Sequence, residues 1–398
     1  MPDDRSVTPP ARVARARLGV IVMFLASGLL MATFASRLVL IRQSLGVSPG
    51  TMGWLLMAIT VGSVALMPVT GHLIERFGEV RLLRLLPVVG YAALLCGAYF
   101  ATRGWAIAMV VPLLVQGATM GSWDVAMNVA GARVEQGLGR SIMPQFHAGF
   151  SLATLIGAGV GWLFAHSGAP LMWHMAVAAV VGVASVEVFV SWLLPPERVG
   201  RDAPVADAPK PTERSAWLEP RTLLIGVVML SVTLTEGSAN DWVTSAVVQS
   251  FSTRESTGIA CLGVFLAAMT LMRILGTRMV DRLGRVVALR LCAASAIVGL
   301  LLFGLGPHLW MAMVGAGIWG LGAALGFPVG ISAASDDPLR AARRTAVVST
   351  IGYLAFMGGP PLLGMIAGHI GFRNALLFIL IPAVVTLLLA DWTRPPPD

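Results

Sequence analysis

Long apolar runs separated by short charged segments dominate the hydrophobic pattern of this sequence. A helix needs roughly 20 apolar residues to cross about 30 Å of hydrocarbon, and runs of this length recur along almost the whole chain. The pattern predicts twelve membrane-spanning helices, at residues 18–40, 51–72, 82–101, 105–133, 143–166, 171–194, 222–248, 256–276, 286–305, 309–334, 345–368 and 372–390. We therefore expect an all-α membrane protein.

Positive charge is concentrated in alternate connections between these predicted spans. If the amino terminus is cytoplasmic, 22 of the 28 Lys and Arg residues lie on the cytoplasmic side. This asymmetry is the positive-inside rule, and it predicts that both termini are cytoplasmic. No small-residue cleavage site follows the first span, so we expect that span to be retained rather than removed as a signal peptide. A bacterial plasma (inner) membrane is the simplest location.

The twelve spans divide into two halves joined by a polar segment. Residues 195–221 contain six prolines, mixed charge and the only lysine, which indicates a cytoplasmic linker. The predicted organisation is a cytoplasmic tail at 1–17, a six-helix bundle at 18–194, the linker at 195–221, a second six-helix bundle at 222–391 and a cytoplasmic tail at 392–398. The halves are predicted to be pseudo-symmetric, with a solute site between them.

Two short motifs support this internal repeat. The sequence ERFG at 75–78 follows the second span, and DRLG at 281–284 follows the eighth, at an offset of 206 residues. Gly117 and Gly121 in the fourth span align with Gly322 and Gly326 in the tenth at an offset of 205. Features present in both halves are expected to be scaffold or gating parts, and features of one half to be specific to the solute.

Composition narrows the class of protein further. Apolar residues make up 56% of the chain and charged residues 12%, against roughly 25% charged in a soluble domain. The net charge of +8 is explained by the cytoplasmic loops, so no nucleic-acid partner is expected. The sequence shows no nucleotide-binding loop, metal-ligand cluster or nucleophile-base pair. We therefore expect no enzyme activity, cofactor or metal, and a monomer whose partners are the lipid bilayer and a small-molecule substrate.

Three polar residues of the first half are candidates for a proton or solute site. An ionisable side chain in the middle of a membrane helix costs roughly 2.5 to 3.5 kcal/mol on insertion scales, so it needs a partner or a task. Asp124 and Asn128 lie one turn apart on one helix face, and His147 enters the next helix at a similar depth. They are expected to form one polar cluster. The alternative is a structural cluster that only fixes the two helices together.

The seventh span supplies the corresponding candidates of the second half. Glu236, just past the membrane midplane, is the second candidate for a protonatable carrier, and Asn240 follows it by one turn. We expect Arg37 and Asp241 to pair across the outer mouth as a gate, with Trp242 beside them. Trp242 could stack on a sugar-like ring, although a tryptophan belt at the membrane interface is the alternative.

The charged loops are expected to form a cytoplasmic gate. This network would comprise Glu75, Arg76, Arg133, Glu135, Arg273, Asp281, Arg282 and Arg340, with simple solvated loop charge as the alternative. Gly358, Gly359, Pro360 and Pro361 interrupt the hydrogen bonding of the eleventh helix and are expected to act as a hinge, a static kink being the alternative. The role of Glu187 is unexplained by the sequence.

Several motifs spread along the whole chain resemble the major facilitator superfamily. They are the two acid-Arg-x-Gly loops, WDVAMN from Trp123 to Asn128, FHAGFS from Phe146 to Ser151, EGSANDW from Glu236 to Trp242, and the GGPP segment. Within it they resemble the YbjJ-like branch, a relative of the fucose permeases. In those permeases the fourth helix carries an acid followed four residues later by Asn, matching Asp124 and Asn128, and that acid is implicated in proton-coupled sugar uptake. Here the first helix has Arg37 and no acid.

These observations predict a secondary active transporter that moves a small polar, sugar-like solute in symport with protons by alternating access. The proton gradient would supply the energy, with sodium as an alternative ion. Two other function classes are weighed against it: a proton-coupled exporter of drugs or metabolites, and a membrane sensor without transport. The identity of the substrate and the direction of flux are not encoded in any motif of the sequence.

Overall fold

The computed structural model describes residues 10–47, 49–195, 215–253 and 255–396. In these residues every regular element is an α-helix or a short 3₁₀ turn. The chain forms two compact units, the first holding the described residues up to Pro195 and the second those from Ser215 onward. Most of the predicted linker, and the first nine and last two residues, lie outside the described residues.

The first unit contains seven helices. They are α1 (Pro10–Ser36), α2 (Leu38–Leu45), α3 (Pro49–Phe77), α4 (Glu79–Thr102), α5 (Ala106–Leu138), α6 (Met143–His166) and α7 (Leu171–Phe189). The hydroxyl of Tyr91 on α4 donates a buried hydrogen bond of 2.8 Å to the carbonyl of Ala26 on α1. This bond ties the first and third spans of the unit together.

The second unit also contains seven helices. They are α8 (Pro220–Phe251), α9 (Glu255–Leu305), α10 (Leu309–Ala323), α11 (Gly326–Ala334), α12 (Ala341–Ile370), α13 (Phe372–Leu376) and α14 (Leu380–Leu389). A buried apolar core in this unit is centred on Trp319, which packs edge-on against Phe265 at 5.3 Å and Phe303 at 6.0 Å between ring centroids.

Eleven helices of the described residues are long and apolar enough to cross a membrane. One of them, the 46-residue stretch Ala260–Leu305 of α9, would be about 69 Å long at about 1.5 Å per residue, more than twice the hydrocarbon thickness. Gly284 divides it, with φ 78° and ψ 162°. The stretch is therefore two spans, and the predicted all-α fold with two sets of six spans is confirmed.

The helix ends differ from the predicted ones where polar residues adjoin apolar runs. Helix α1 begins at Pro10 and not at 18, because a helix continues beyond its apolar stretch through the arginines that precede it. It also ends at Ser36, since Arg37 has non-helical φ −111° and ψ 11°. The predicted tenth span is broken at Ala324 and Leu325 into α10 and α11.

The repeat is visible in the backbone at the glycine that ends each loop motif. Gly78 has φ 80° and ψ 144°, and Gly284 has φ 78° and ψ 162°. Both conformations belong to a region that is essentially open only to glycine. Each half therefore makes the same sharp turn between its second and third spans at a glycine that the motif supplies.

The predicted alignment of the fourth and tenth spans is wrong by two residues. A Cβ at Gly117 would lie 1.8 Å from the backbone oxygen of Ile59, and a Cβ at Gly320 would lie 2.2 Å from that of Phe265. Ile59 and Phe265 are 206 residues apart, so the equivalent of Gly117 is Gly320 and not Gly322. The close approach of the two backbones, which only glycine allows, fixes this register.

Candidate functional site

Asp124, Asn128 and His147 form one buried cluster between α5 and α6. The side-chain amide of Asn128 donates to Asp124 Oδ1 at 3.2 Å and to the Asp124 carbonyl at 2.9 Å. Asn128 Oδ1 lies 3.2 Å from His147 Nε2. Because an amide oxygen can only accept, this bond requires the proton of His147 to be on Nε2. The predicted grouping of the three side chains is therefore observed.

The surroundings of the cluster exclude water almost completely. The exposed fraction is 8% for Asp124 and His147 and zero for Asn128. Phe24 of α1 packs edge-on against the His147 ring at 5.0 Å. Asp124 Oδ2 has no hydrogen-bond partner among the described residues. The cluster thus holds a carboxyl group whose second oxygen is free to bind a proton or a polar solute.

In the second unit, Glu236 is paired with a cation. Arg273 Nη2 lies 2.8 Å from Glu236 Oε2, and Arg273 Nε donates to the carbonyl of Ala324 at 3.3 Å. The Arg273 side chain is 5% exposed and that of Glu236 is 23% exposed. Arg273 is predicted to belong to the cytoplasmic gate network, and that role stays a prediction. The structure adds a carboxylate partner within the membrane span, as burial of a guanidinium there favours.

The residues of the predicted outer gate are placed within their own units. Arg37 Nη2 donates to the carbonyl of Ala169 at 2.9 Å in the first unit. In the second unit, Asn240 and Asp241 are exposed and Asn240 bonds the carbonyl of Glu236 at 3.3 Å. The Trp242 ring stacks on Phe372 at 4.9 Å. A pair between Arg37 and Asp241 would join the two units and stays a prediction.

The four charged residues of the loop motifs are exposed: Glu75, Arg76, Asp281 and Arg282. Their role in a gate stays a prediction, as does that of Arg340. Two other members of the predicted network, Arg133 and Glu135, make specific contacts within the first unit. Arg133 pairs with Glu79 and also donates to the carbonyl of Pro195. Glu135 Oε2 accepts the backbone N–H groups of Ile142 and Met143, each at 2.8 Å, and so caps the start of α6.

Several acids that hold the predicted cytoplasmic ends of helices were not predicted from the sequence. Asp336 bonds Arg285 at 2.5 Å and Arg221 at 2.6 Å. Glu219 binds Arg344 at 2.7 Å, and it also pairs with Arg340. The sequence contained one signal for such ion pairs. Glu79 and Arg285 carry opposite charges, and each directly follows the loop glycine of its half.

The remaining predicted residues lie in continuous helices. Helix α12 runs through Gly358, Gly359, Pro360 and Pro361 without a break. The two prolines cannot donate backbone hydrogen bonds, so a hinge there stays a prediction. Glu187, which the sequence left unexplained, pairs with Arg84 at 3.2 Å at a partly exposed position.

Comparison with known proteins gives the family. A sequence model described as Major Facilitator Superfamily matches residues 18–301 and 227–398. An uncharacterised MFS-type transporter of Yersinia pestis is 30% identical over 349 residues, which are 86% of this chain and 87% of that protein. An uncharacterised transporter of Sinorhizobium fredii, y4wD, is 29% identical over 383 residues, which are 94% of this chain and 96% of the relative.

Solved structures show the same fold at low identity. The Escherichia coli fucose:proton symporter superposes with a TM-score of 0.73 at 12% identity, covering 95% of this chain and 98% of the symporter. A proton:xylose symporter superposes with a TM-score of 0.76 at 12% identity, covering 97% of this chain and 96% of that structure.

Proposed function

This chain belongs to the Major Facilitator Superfamily, and from that premise we propose that this membrane transporter couples the uptake of a small polar, sugar-like solute to a proton carried by Asp124. The observation that carries the proposal is the buried cluster of Asp124, Asn128 and His147. We further propose that it acts by alternating access as a monomer in the plasma membrane, with both termini cytoplasmic, as the distribution of arginine suggests.

Asp124 is a better proton carrier than Glu236 because of its partners. In the first unit Asp124 Oδ1 accepts from the neutral amide of Asn128, whereas Glu236 is held by the guanidinium of Arg273. A buried carboxylate without a cation is costly to keep ionised, and taking up a proton removes that cost. The Glu236–Arg273 ion pair is the second candidate for proton coupling, and it would break when solute or a proton binds.

His147 gives the cluster a second proton-binding group. The imidazole is linked to the Asp124 carboxyl through Asn128, which donates to the one and accepts from the other. Protonation of either end changes the hydrogen bonding of Asn128 and thereby the arrangement at the other end. A solute hydroxyl at Asp124 Oδ2 would be recognised by the same network.

The functions of two structural neighbours agree with this proposal. Both are proton symporters, of fucose in one case and xylose in the other. Energetics are also sufficient, because one proton crossing 100 mV releases about 2.3 kcal/mol. At about 1.4 kcal/mol per decade, this supports a solute gradient of roughly fifty-fold.

The test uses proteoliposomes that contain the purified protein and an internal pH-sensitive dye. A panel of monosaccharides, including fucose and xylose, is added without an imposed gradient, and proton entry is recorded. We expect at least one sugar to cause acidification of the interior in the wild type. The variant Asp124→Asn should lose this proton entry while retaining exchange of labelled solute for unlabelled solute.

The matched control is Glu187→Gln, which neutralises another acid of a membrane helix that is paired at the partly exposed surface. It should leave sugar-dependent proton entry within about twofold of the wild type. Solute-dependent proton entry that survives Asp124→Asn would refute the assignment of the proton to this residue. Transport of a solute with no accompanying proton would refute coupling itself.

A further inference from the structure

Unsatisfied buried polar atoms are concentrated where α1 ends and α7 begins. Among the described residues, five buried side-chain atoms in this region have no hydrogen-bond partner: Thr33 Oγ1, Arg37 Nε, Arg37 Nη1, His174 Nδ1 and His174 Nε2. Native proteins rarely leave such atoms unpaired, and each case calls for an explanation. Five such atoms around one helix junction therefore need a common explanation.

Arg37 is the strongest feature of this region. Its exposed fraction is 4%, and its Nη2 donates to the carbonyl of Ala169. No carboxylate of the first unit's described residues lies within ion-pair distance of it. Because a guanidinium cannot be deprotonated in a protein, the positive charge persists and needs a counter-charge.

His174 lies beside Arg37 and is packed so that only its edge is available. Its exposed fraction is 1%, and its face stacks on Phe164 at 4.6 Å with an interplanar angle of 17°. A Cβ at Gly161 would contact both His174 Cε1, at 3.4 Å, and Ser36 Oγ, at 2.1 Å. The ring therefore reaches the end of α1, where Arg37 follows Ser36.

Thr33 differs from four other helical threonines of the described residues and resembles Thr233, whose hydroxyl also has no partner. Thr70, Thr119, Thr235 and Thr350 each donate to the carbonyl four residues earlier. The hydroxyl of Thr33, which is fully buried, does not make that bond and remains available as a donor. Thr33 lies four residues before Arg37, so the two side chains belong to the same end of α1.

The start of α7 adds to the positive potential of the region. His174 is the fourth residue of this 19-residue helix. A helix N-terminus carries a partial positive charge that favours anions. The guanidinium, the helix end and the unpaired N–H and O–H donors therefore all favour the same kind of ligand.

We propose that Arg37, His174 and Thr33 form a binding site for a small monovalent anion. Two guanidinium N–H groups, one imidazole N–H and one hydroxyl would donate to it, and its charge would balance that of Arg37. Water could satisfy the donors but not the charge. Chloride and the carboxylate of an organic acid share the required chemistry, and the experiment separates them.

The test is thermal unfolding of the purified full-length protein in detergent, at constant ionic strength. Sodium isethionate, a bulky sulfonate, is replaced stepwise by chloride or by acetate. Binding to the folded state should raise the melting temperature saturably. A rise with chloride alone identifies an inorganic anion site, and a rise with acetate identifies a carboxylate site.

Three variants locate the effect. Arg37→Gln should abolish it, while His174→Phe, which keeps the stacking on Phe164, and Thr33→Val should weaken the apparent affinity by roughly tenfold each. Arg37→Gln should also unfold at a higher temperature than the wild type in isethionate, because it removes an uncompensated buried charge. The control Arg42→Gln, one turn along α2, should retain the full anion response.

Two results would overturn the proposal. One is a wild-type melting temperature that is the same in chloride, acetate and isethionate. The other is an anion response that survives Arg37→Gln unchanged. If the wild type is insensitive and Asp241→Asn makes it sensitive, the counter-charge is Asp241 and the outer gate pair predicted from the sequence replaces the anion site.

Discussion

The guanidinium of Arg285 lies 2.5 Å from the carboxylate of Asp336, at positions that correspond to Glu79 and Arg133 in the first unit. Glu79 and Arg285 are 206 residues apart, which is the offset between the two loop motifs. Arg133 and Asp336 are 203 residues apart, which is the offset between Gly117 and Gly320. Both halves therefore tie the start of their third span to the end of their fourth, with opposite signs of charge.

This relationship predicts that the pair in the first unit tolerates exchange of its charges. Glu79→Arg alone places two cations together in a largely buried site and should lower the free energy of unfolding by about 3 kcal/mol or more. The double variant Glu79→Arg with Arg133→Glu reproduces the polarity of the second unit and should recover most of the loss. Thermal and denaturant unfolding of the purified variants measures both effects.

The control for the exchange is the pair of Arg84 and Glu187, whose side chains are 56% and 40% exposed. Exchanging these charges, singly or together, should change stability by less than about 1 kcal/mol, because solvent screens an exposed pair. If the double exchange at Glu79 and Arg133 is no more stable than the singles, their pairing does not hold the helices together.

The turn glycines give a second prediction. Gly78→Ala and Gly284→Ala should each destabilise the protein by about 1 to 3 kcal/mol, since the positive φ is strained for any residue with a Cβ. A Cβ at either position would meet nothing within 4 Å, so the cost comes from the backbone conformation alone. The change is read as a lower midpoint of thermal unfolding.

Gly263→Ala is the matched control for these variants. Gly263 lies in α9, like Gly284, and a Cβ there also meets nothing within 4 Å, but its backbone is helical. Alanine in a helix is favoured over glycine by up to about 1 kcal/mol, so this variant should be neutral or stabilising. Equal losses at Gly263 and Gly284 would show that the strain argument is wrong.

The sequence predicted the spans, the repeat and the Asp124 cluster because each depends on local information. Apolar length determines a membrane helix, and a four-residue spacing places Asp124 and Asn128 on one face. The ion pairs were not predictable in the same way. Arg133 meets Glu79 across 54 residues and Arg221 meets Asp336 across 115, and near a helix end such charges look the same as solvated ones.

Arg273 shows the same limit inside a membrane helix. The sequence placed its charge within a span. It was nevertheless assigned to the cytoplasmic gate network, because most arginines of this chain lie in the cytoplasmic loops. The carboxylate that it binds, Glu236, lies 37 residues away on α8. The choice among several acids is made by helix packing, which hydropathy does not encode. A pattern that lists charges along a chain therefore finds buried groups but not their partners.

The Glu236–Arg273 pair yields a third prediction. Glu236→Gln removes the carboxylate that lies 2.8 Å from the buried guanidinium of Arg273, and should lower stability by about 3 kcal/mol. Arg273→Met should lower stability less, because solvent reaches the partly exposed carboxylate of Glu236 when the guanidinium is removed. In the double variant the losses should be smaller than their sum, giving a coupling energy of about 1 kcal/mol or more. Additive losses in denaturant unfolding would show that the pair contributes nothing to stability.

The central position of Asn128 makes the coupling between Asp124 and His147 measurable. Asp124→Ala and His147→Phe should be non-additive in their effect on the free energy of unfolding, since each removes a group that holds one end of the same amide. Asn128→Ala alone should lower the free energy of unfolding by about 1 to 3 kcal/mol. In that background the effects of the other two substitutions should become additive. The free energies come from denaturant unfolding of all eight combinations. A coupling energy that is unchanged by Asn128→Ala would mean that Asp124 and His147 communicate by another route, and a coupling energy of zero in both backgrounds would mean that they act independently.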